Sequence, residues 1–231
     1  GEQIPRQIAQ VCLDVHLAAL TVGVKQEIEE LGIPLGELTG RLVISSKANL
    51  ILPTHRILDA AYEQNKGSLK IGSTLKGIGP AYTDKTSRNG LRAGDILLND
   101  FMPMYNGLTA GHMTLLKNLG FDFDISEYEK LWFKGIELLK KFRIENTEYL
   151  VNEKVSAGLK VLAEGAQGTM LDLDFGSYPF VTSSNTISAG ACTGLGVSPR
   201  TIGEIFGIFK AYCTRVGSGP FPTELTEETG E

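Results

Sequence analysis

A short apolar run that ends abruptly in glycines constrains this chain most. Residues 159–163, LKVLA, lead into EGAQGTMLDLDFGSYPFVTSSNT, residues 164–186. In that string small residues, amides, hydroxyls and acids stand where a core would need apolar side chains. The run reads as a buried strand that delivers a loop to one edge of a sheet. Gly165 and Gly168 bracket Gln167 there, and a glycine-rich turn after a strand is where backbone N–H groups meet an anion. The segment closes on Thr182, Ser183, Ser184, Asn185 and Thr186, all hydrogen-bonding side chains. A turn entering a helix N-cap uses the same residue types, so both readings stay open here.

A second segment adds weight to the anion reading. Residues 71–95 read IGSTLKGIGPAYTDKTSRNGLRAGD, with Gly72, Gly77, Gly79, Gly90 and Gly94 among the cations Lys76, Lys85, Arg88 and Arg92. Glycine allows close backbone approach, and each cation can meet a phosphate or carboxylate. Any one of these cations could equally sit on a solvated helix face. No G-x-x-x-x-G-K-[ST] occurs, and no G-x-G-x-x-G follows a clear strand. The residues by themselves therefore describe an α/β domain that binds an anion.

GSTLKGIGPAYTDK with the following R-x-G-L-R-x-G-D, then EGAQGTMLDLDFGSYPFVTSSNT, then KAYCTRVGSGPFPTEL at 210–225, together resemble adenylosuccinate synthetase. The resemblance is strong over 32–95 and 158–231 and poor in the middle and the first thirty residues. It implies purine nucleotide biosynthesis on the route to AMP: a ligase joining IMP and L-aspartate, with GTP cleaved to GDP and phosphate. It further implies a P-loop-NTPase-like fold, a largely parallel central sheet with flanking helices, as a homodimer in the cytoplasm. Magnesium is the implied metal, with its ligands outside this chain. The family's GDEGKGK phosphate loop and its G-H-T histidine are not found in the sequence; His16, His55 and His112 lie in D-V-H-L, P-T-H-R and A-G-H-M. The arginine-rich aspartate-binding loop of the family is also missing. The expectation is a single, incomplete α/β domain over residues 1–231, an interior portion of the enzyme that is inactive in isolation.

The resemblance assigns roles residue by residue. Thr74 and Thr182 match threonines that hydrogen-bond the 5′-phosphate of IMP. Arg88 matches an arginine reaching that phosphate from the second subunit, and a guanidinium can grip phosphate with two N–H groups at once. Lys85 is expected to support the phosphate site, and Arg92 to brace its loop by a salt bridge. Gln167 matches the amide that contacts O6 of the purine, making it the catalytic candidate. Val216 matches a backbone carbonyl that touches the IMP ribose. Asp172 and Asp174 read as structural. Two departures from the common family pattern are Leu75-Lys76 in place of Gly-Arg and Phe175 in place of His.

Composition is compatible with this and narrows the partners. Hydrophobic residues make up 42%, and 27 glycines suit a loop-rich α/β chain rather than a bundle. A balance of 22 basic and 27 acidic residues, net −5, argues against nucleic acid. Cys12, Cys192 and Cys213 are scattered without metal-ligand spacing, as expected of reduced thiols. No apolar run approaches the ~18 residues of a membrane span, so no membrane partner is expected.

Periodicity supplies the remaining elements. Residues 6–31 carry a helical stripe of Ile8, Val11, Cys12, Val15, Ala18, Ala19 and Val22. Residues 41–45 read as a strand, and Pro53-Thr54 opens a helix to about Gln64. Helices are expected over 127–142 and 145–157, a central strand over 205–216, and irregular chain over 98–124. Trp132 is expected in the core. Two function classes remain: a portion of the ligase, or a catalytically inactive IMP-binding and dimerisation module. A generic anion-binding scaffold is a distant third.

Overall fold

The computed structural model describes residues 9–12 and 35–224. The core lies between α2 (Pro53–Asn65), α4 (Phe101–Asn118) and α5 (Ser126–Leu139), with α3 (Ile78–Ser87) alongside α2. α1 (Leu35–Arg41), β2 (Val43–Ser45), β3 (Arg143–Glu145), α6 (Thr147–Ser156), β4 (Val161–Glu164) and α7 (Gly190–Leu195) complete the order after β1 (Ala9–Cys12). Both strand pairs are parallel. β1 runs beside β4 with Ala9 opposite Val161, and β2 beside β3 with Val43 opposite Arg143. The class is α/β, with only part of a sheet.

Sequence explains the helices that frame the site. Pro53 at the first position of α2 has no N–H to leave unsatisfied and a φ already suited to a helix. In α5, Trp132, Ile136 and Leu139 recur at helical spacing and are buried, and the Trp132 indole N–H donates to the Ile51 carbonyl at 2.9 Å. Tyr105 of α4 stacks on Trp132 with centroids 5.0 Å apart. Burying such side chains is worth ~1.5–3 kcal/mol each, and Trp132 is core, as expected.

Four sequence expectations change. Irregular chain over 98–124 is replaced by the 18-residue α4. Phe101, Tyr105, Thr109, His112 and Leu116 form its buried stripe, while Gly107 and Gly111 face open space. Pro103 falls in the first turn, where helix N–H groups lack intrahelical partners anyway. Within 6–31, Ala9–Cys12 is a strand instead of a helix, and the rest of that expectation lies outside the described residues. The strand at Val161–Glu164 is not buried: Leu162 is 53% exposed, with β1 its sole strand neighbour among the described residues.

The segment 205–216 is not a strand. It has no regular structure, and Ile208 and Phe209 are 97% and 94% exposed. Apolar content does not make a strand without a neighbour for its N–H and C=O groups, and among the described residues none lies alongside. Helices predicted at 53–64, 127–142 and 145–157 are present as α2, α5 and α6, and the strand at 41–45 as β2.

Candidate functional site

The three loops singled out by sequence adjoin one another. The Ser218 N–H of the third loop donates to the Ile71 carbonyl of the first at 3.0 Å. Gly72 and Gly217 approach so closely that a Cβ on Gly72 would lie 2.6 Å from Ser218 N. Arg215 of the third loop donates to the Phe180 carbonyl of the second at 3.1 Å. A Cβ on Gly79, in the first turn of α3, would lie 3.6 Å from Ser183 Oγ, so the second loop meets the N-terminus of that helix.

The first loop is held by side chains of α2. His55, Asp59 and Glu63 are four residues apart, hence on one face of the helix, and all are buried. Glu63 Oε2 accepts the N–H groups of Ile71, Gly72 and Ser73 at 3.1, 2.9 and 3.3 Å. Glu63 Oε1 pairs with Lys66 at 2.8 Å. Burial alone would raise this carboxyl; Lys66 and the N–H groups of Ser73 and Gly72 outweigh it and hold it below its usual range. Asp59 takes the Ser73 hydroxyl at 2.7 Å and the Gly77 N–H at 2.9 Å. Gly77 has φ 81 and no room for a Cβ, which would sit 2.9 Å from the His55 backbone. Neither Asp59 nor Glu63 was singled out by sequence; their spacing of four on a helix starting at Pro53 was the available signal.

His55 and His112 share one oxygen of Asp84, at 2.8 and 2.9 Å. The Leu52 N–H donates to His55 Nδ1 at 2.9 Å, so that nitrogen carries no proton and Nε2–H donates to Asp84. Thr54 Oγ1 lies 2.7 Å from His112 Nδ1. Burial pushes His55 below its ordinary 6.5 and His112 adds to this, against the opposing pull of Asp84. Burial would raise Asp84, but the hydrogen bonds from His112 and His55 prevail and hold its carboxyl well below the usual carboxylate range. These three are the residues placed to hold a metal ion among those described. They do not suit magnesium, which requires oxygen ligands. A metal on His55 Nε2 would also require a proton on Nδ1 that the Leu52 N–H excludes. The cluster is a hydrogen-bonded lock joining α2, α3 and α4.

The second loop is tied by its own aspartate. Asp172 is fully buried; Oδ1 accepts the Asp174 and Phe175 N–H groups, both at 3.0 Å. Oδ2 accepts those of Thr186 and Ile187 at 2.6 and 3.2 Å. Burial works against its charge, yet these N–H groups bring the carboxyl down to about 2. Asp174 accepts from the Asn185 amide at 2.7 Å. Asp172 thus ties the two ends of the loop together, and Asp174 links to Asn185 within it. A Cβ on Gly176 would come 2.4 Å from the Asp172 carbonyl oxygen, so only glycine fits there.

The individual candidates divide. Thr74 is exposed on the first loop, and the Thr182 N–H donates to Leu171 at 2.8 Å on the second. Gln167 is exposed with φ 60, beside Gly168, whose carbonyl accepts the Thr186 hydroxyl at 2.7 Å. Val216 is 82% exposed on the third loop. Arg88 and Lys85 are not brought to the other candidates. They lie at the far end of α3, Arg88 about 16.5 Å along the axis from Gly77 at 1.5 Å per residue. Lys85 Nζ sits 4.8 Å over the Tyr82 ring. Arg92 bonds Asp95 through its backbone N–H at 2.6 Å, and among the described residues its guanidinium makes no ion pair, contrary to expectation. Leu75, Arg88 and Gln167 are the non-glycine residues at positive φ among those described, and such backbone gathers at functional sites.

Comparison with known proteins agrees with the loops. The family described as adenylosuccinate synthetase matches residues 11–231. Adenylosuccinate synthetase of Bacteroides thetaiotaomicron is 63% identical over 206 residues, 89% of this chain and 48% of that protein. The enzyme of Parabacteroides distasonis is 61% identical over 207 residues, 90% and 49% of the two chains. The structure of fully ligated adenylosuccinate synthetase from Plasmodium falciparum superposes with a TM-score of 0.79 at 37% identity, over 91% of this chain and 49% of that one. The chain thus spans about half the length of the relatives it matches. On loops, fold and identity alike, it belongs to the adenylosuccinate synthetase family.

Proposed function

We propose that this chain supplies much of the IMP site of a GTP-dependent ligase that joins IMP to L-aspartate. The convergence of three separate loops supports it: Ser218 on Ile71, Arg215 on Phe180, and Ser183 beside Gly79. In this reading Thr74, Thr182 and the N-terminus of α3 together receive the 5′-phosphate. A phosphate suits hydroxyls and helix N–H groups because they replace its water without adding bulk. Its charge is met by the partial positive charge of the helix N-terminus.

O6 of IMP is a poor leaving group. Transfer of the γ-phosphoryl group of GTP to O6, with loss of the N1 proton of the purine, makes it a phosphate ester and releases GDP. The aspartate amine then attacks C6, the C6–O6 bond breaks, and phosphate departs as the amine loses its proton. Gln167 donates its amide to O6 as negative charge moves there. Val216 offers its carbonyl to the ribose. Arg88 and Lys85 lie far from the loops of their own subunit, which suits a role for Arg88 at the phosphate of a second subunit in a cytoplasmic homodimer. We assign residues 1–231 to one α/β domain. Magnesium accompanies GTP in this reading, with ligands outside the His55–Asp84–His112 cluster.

The test is turnover of IMP, GTP and aspartate by the polypeptide carrying this sequence, with and without Gln167→Ala. Loss of one preorganised donor lowers the rate by about 10²–10³-fold. An unchanged rate would remove Gln167 from the chemistry. IMP binding with no GTP consumption would favour the inactive binding module instead.

A further inference from the structure

We infer that Glu63, assisted by Asp59, is a positioning residue that fixes Thr74 for the phosphate of IMP; this rests on the functional reading above. Three successive N–H groups, from Ile71 to Ser73, converge on one carboxylate oxygen. Consecutive amides aimed at one point form an anion-binding concavity. Here the protein's own carboxylate occupies it, so residues 71–73 are fastened to α2 and not offered to a ligand.

Thr74 is the first side chain beyond that fastening. On its N-terminal side Ser73 is pinned twice, by its N–H on Glu63 and its hydroxyl on Asp59. On its C-terminal side the Leu75 N–H donates to Ser73 Oγ at 3.2 Å, and the Gly77 N–H to Asp59. Thr74 is exposed and its hydroxyl makes no hydrogen bond among the described residues, while its backbone is held from both directions. A fixed hydroxyl binds without first losing conformational freedom. The charge of Glu63 does not oppose an incoming phosphate, because Lys66 neutralises its other oxygen at 2.8 Å.

Two measurements on the chain test this. Amide exchange at Ile71, Gly72 and Ser73 is read in wild type, Glu63→Gln and Glu63→Ala, and IMP affinity is read by calorimetry in the same three proteins. Glu63→Ala is expected to speed exchange at those three amides, with α4 and α5 unchanged. Its IMP Kd should rise about tenfold, as for loss of hydrogen bonds to a charged group. Glu63→Gln, which keeps one acceptor, should fall between. Unchanged exchange at 71–73, or equal IMP affinity in all three proteins, would overturn the inference. A slowed rate with unaltered IMP affinity would also overturn it, by assigning Glu63 elsewhere. Failure of wild type to bind IMP would sink the functional reading instead, and the exchange data would still answer for Glu63.

Discussion

The first and second loops solve one problem from opposite directions. Each must hold consecutive backbone N–H groups in a tight, partly buried turn, and each gives them a carboxylate. In the first loop that carboxylate is borrowed, from Asp59 and Glu63 on α2. In the second it is the loop's own Asp172, bonded 2, 3, 14 and 15 residues ahead. A borrowed anchor couples the loop to the helix and, through His55 and Asp84, to α3. A self-made knot holds its shape independently of its neighbours. The first loop should therefore respond to changes in the core and the second to changes in itself.

The widest separation is expected from Asp172→Ala. Four part-buried N–H groups then lose their acceptor at once. IMP affinity should fall by about a hundredfold or more, with exchange accelerated from 172 to 187 and little altered in α2. Calorimetry with residue-level exchange reads both; a local change confined to one or two amides would break the picture of a knot.

Acid should separate the loops next. The folded pKa of His55 lies below 6.5, so the unfolded chain takes up its proton first, and stability falls as pH drops below 6.5. The carboxyl of Asp172 is depressed from 3.8 to about 2, so its contribution persists until pH falls through that lower window. Protection factors corrected for intrinsic rate should fall around α2 and the first loop by pH 5, while the second loop holds to below pH 4. Simultaneous loss of both would contradict separate anchoring.

The smallest effect is expected at Leu75, which carries φ 55, in the left-handed region that favours glycine. Leu75→Gly relieves left-handed backbone but frees the unfolded chain, and the two nearly cancel, within about 1 kcal/mol. Denaturant midpoints measure this. A larger gain in stability would show that the first loop is strained despite its anchors.

Much of the site was legible in sequence because its chemistry is local. Glycines, hydroxyls and amides at 71–79 and 164–186 announce turns of a kind suited to an anion, and Thr74, Gln167 and Thr182 stand within them. Helices with regular apolar spacing and a proline start, α2 and α5, were legible for the same reason. α4 was not, since Pro103, Gly107 and Gly111 resemble breaks until their positions in the first turn and on the open face are known. The apolar stretch 205–216 misled in the other direction: a strand is a relation between two segments, and only one of them could be read.

Sequence alone settled the family to which the chain belongs, because residue type and spacing survive without any knowledge of the chain path. Tertiary structure decided what holds its loops. Glu63 reaches amides 8 to 10 residues ahead, His55 reaches Asp84 across 29, and Arg215 reaches Phe180 across 35. A hydrogen bond depends on two groups arriving within 3 Å or so of each other, and only the path of the folded backbone determines that.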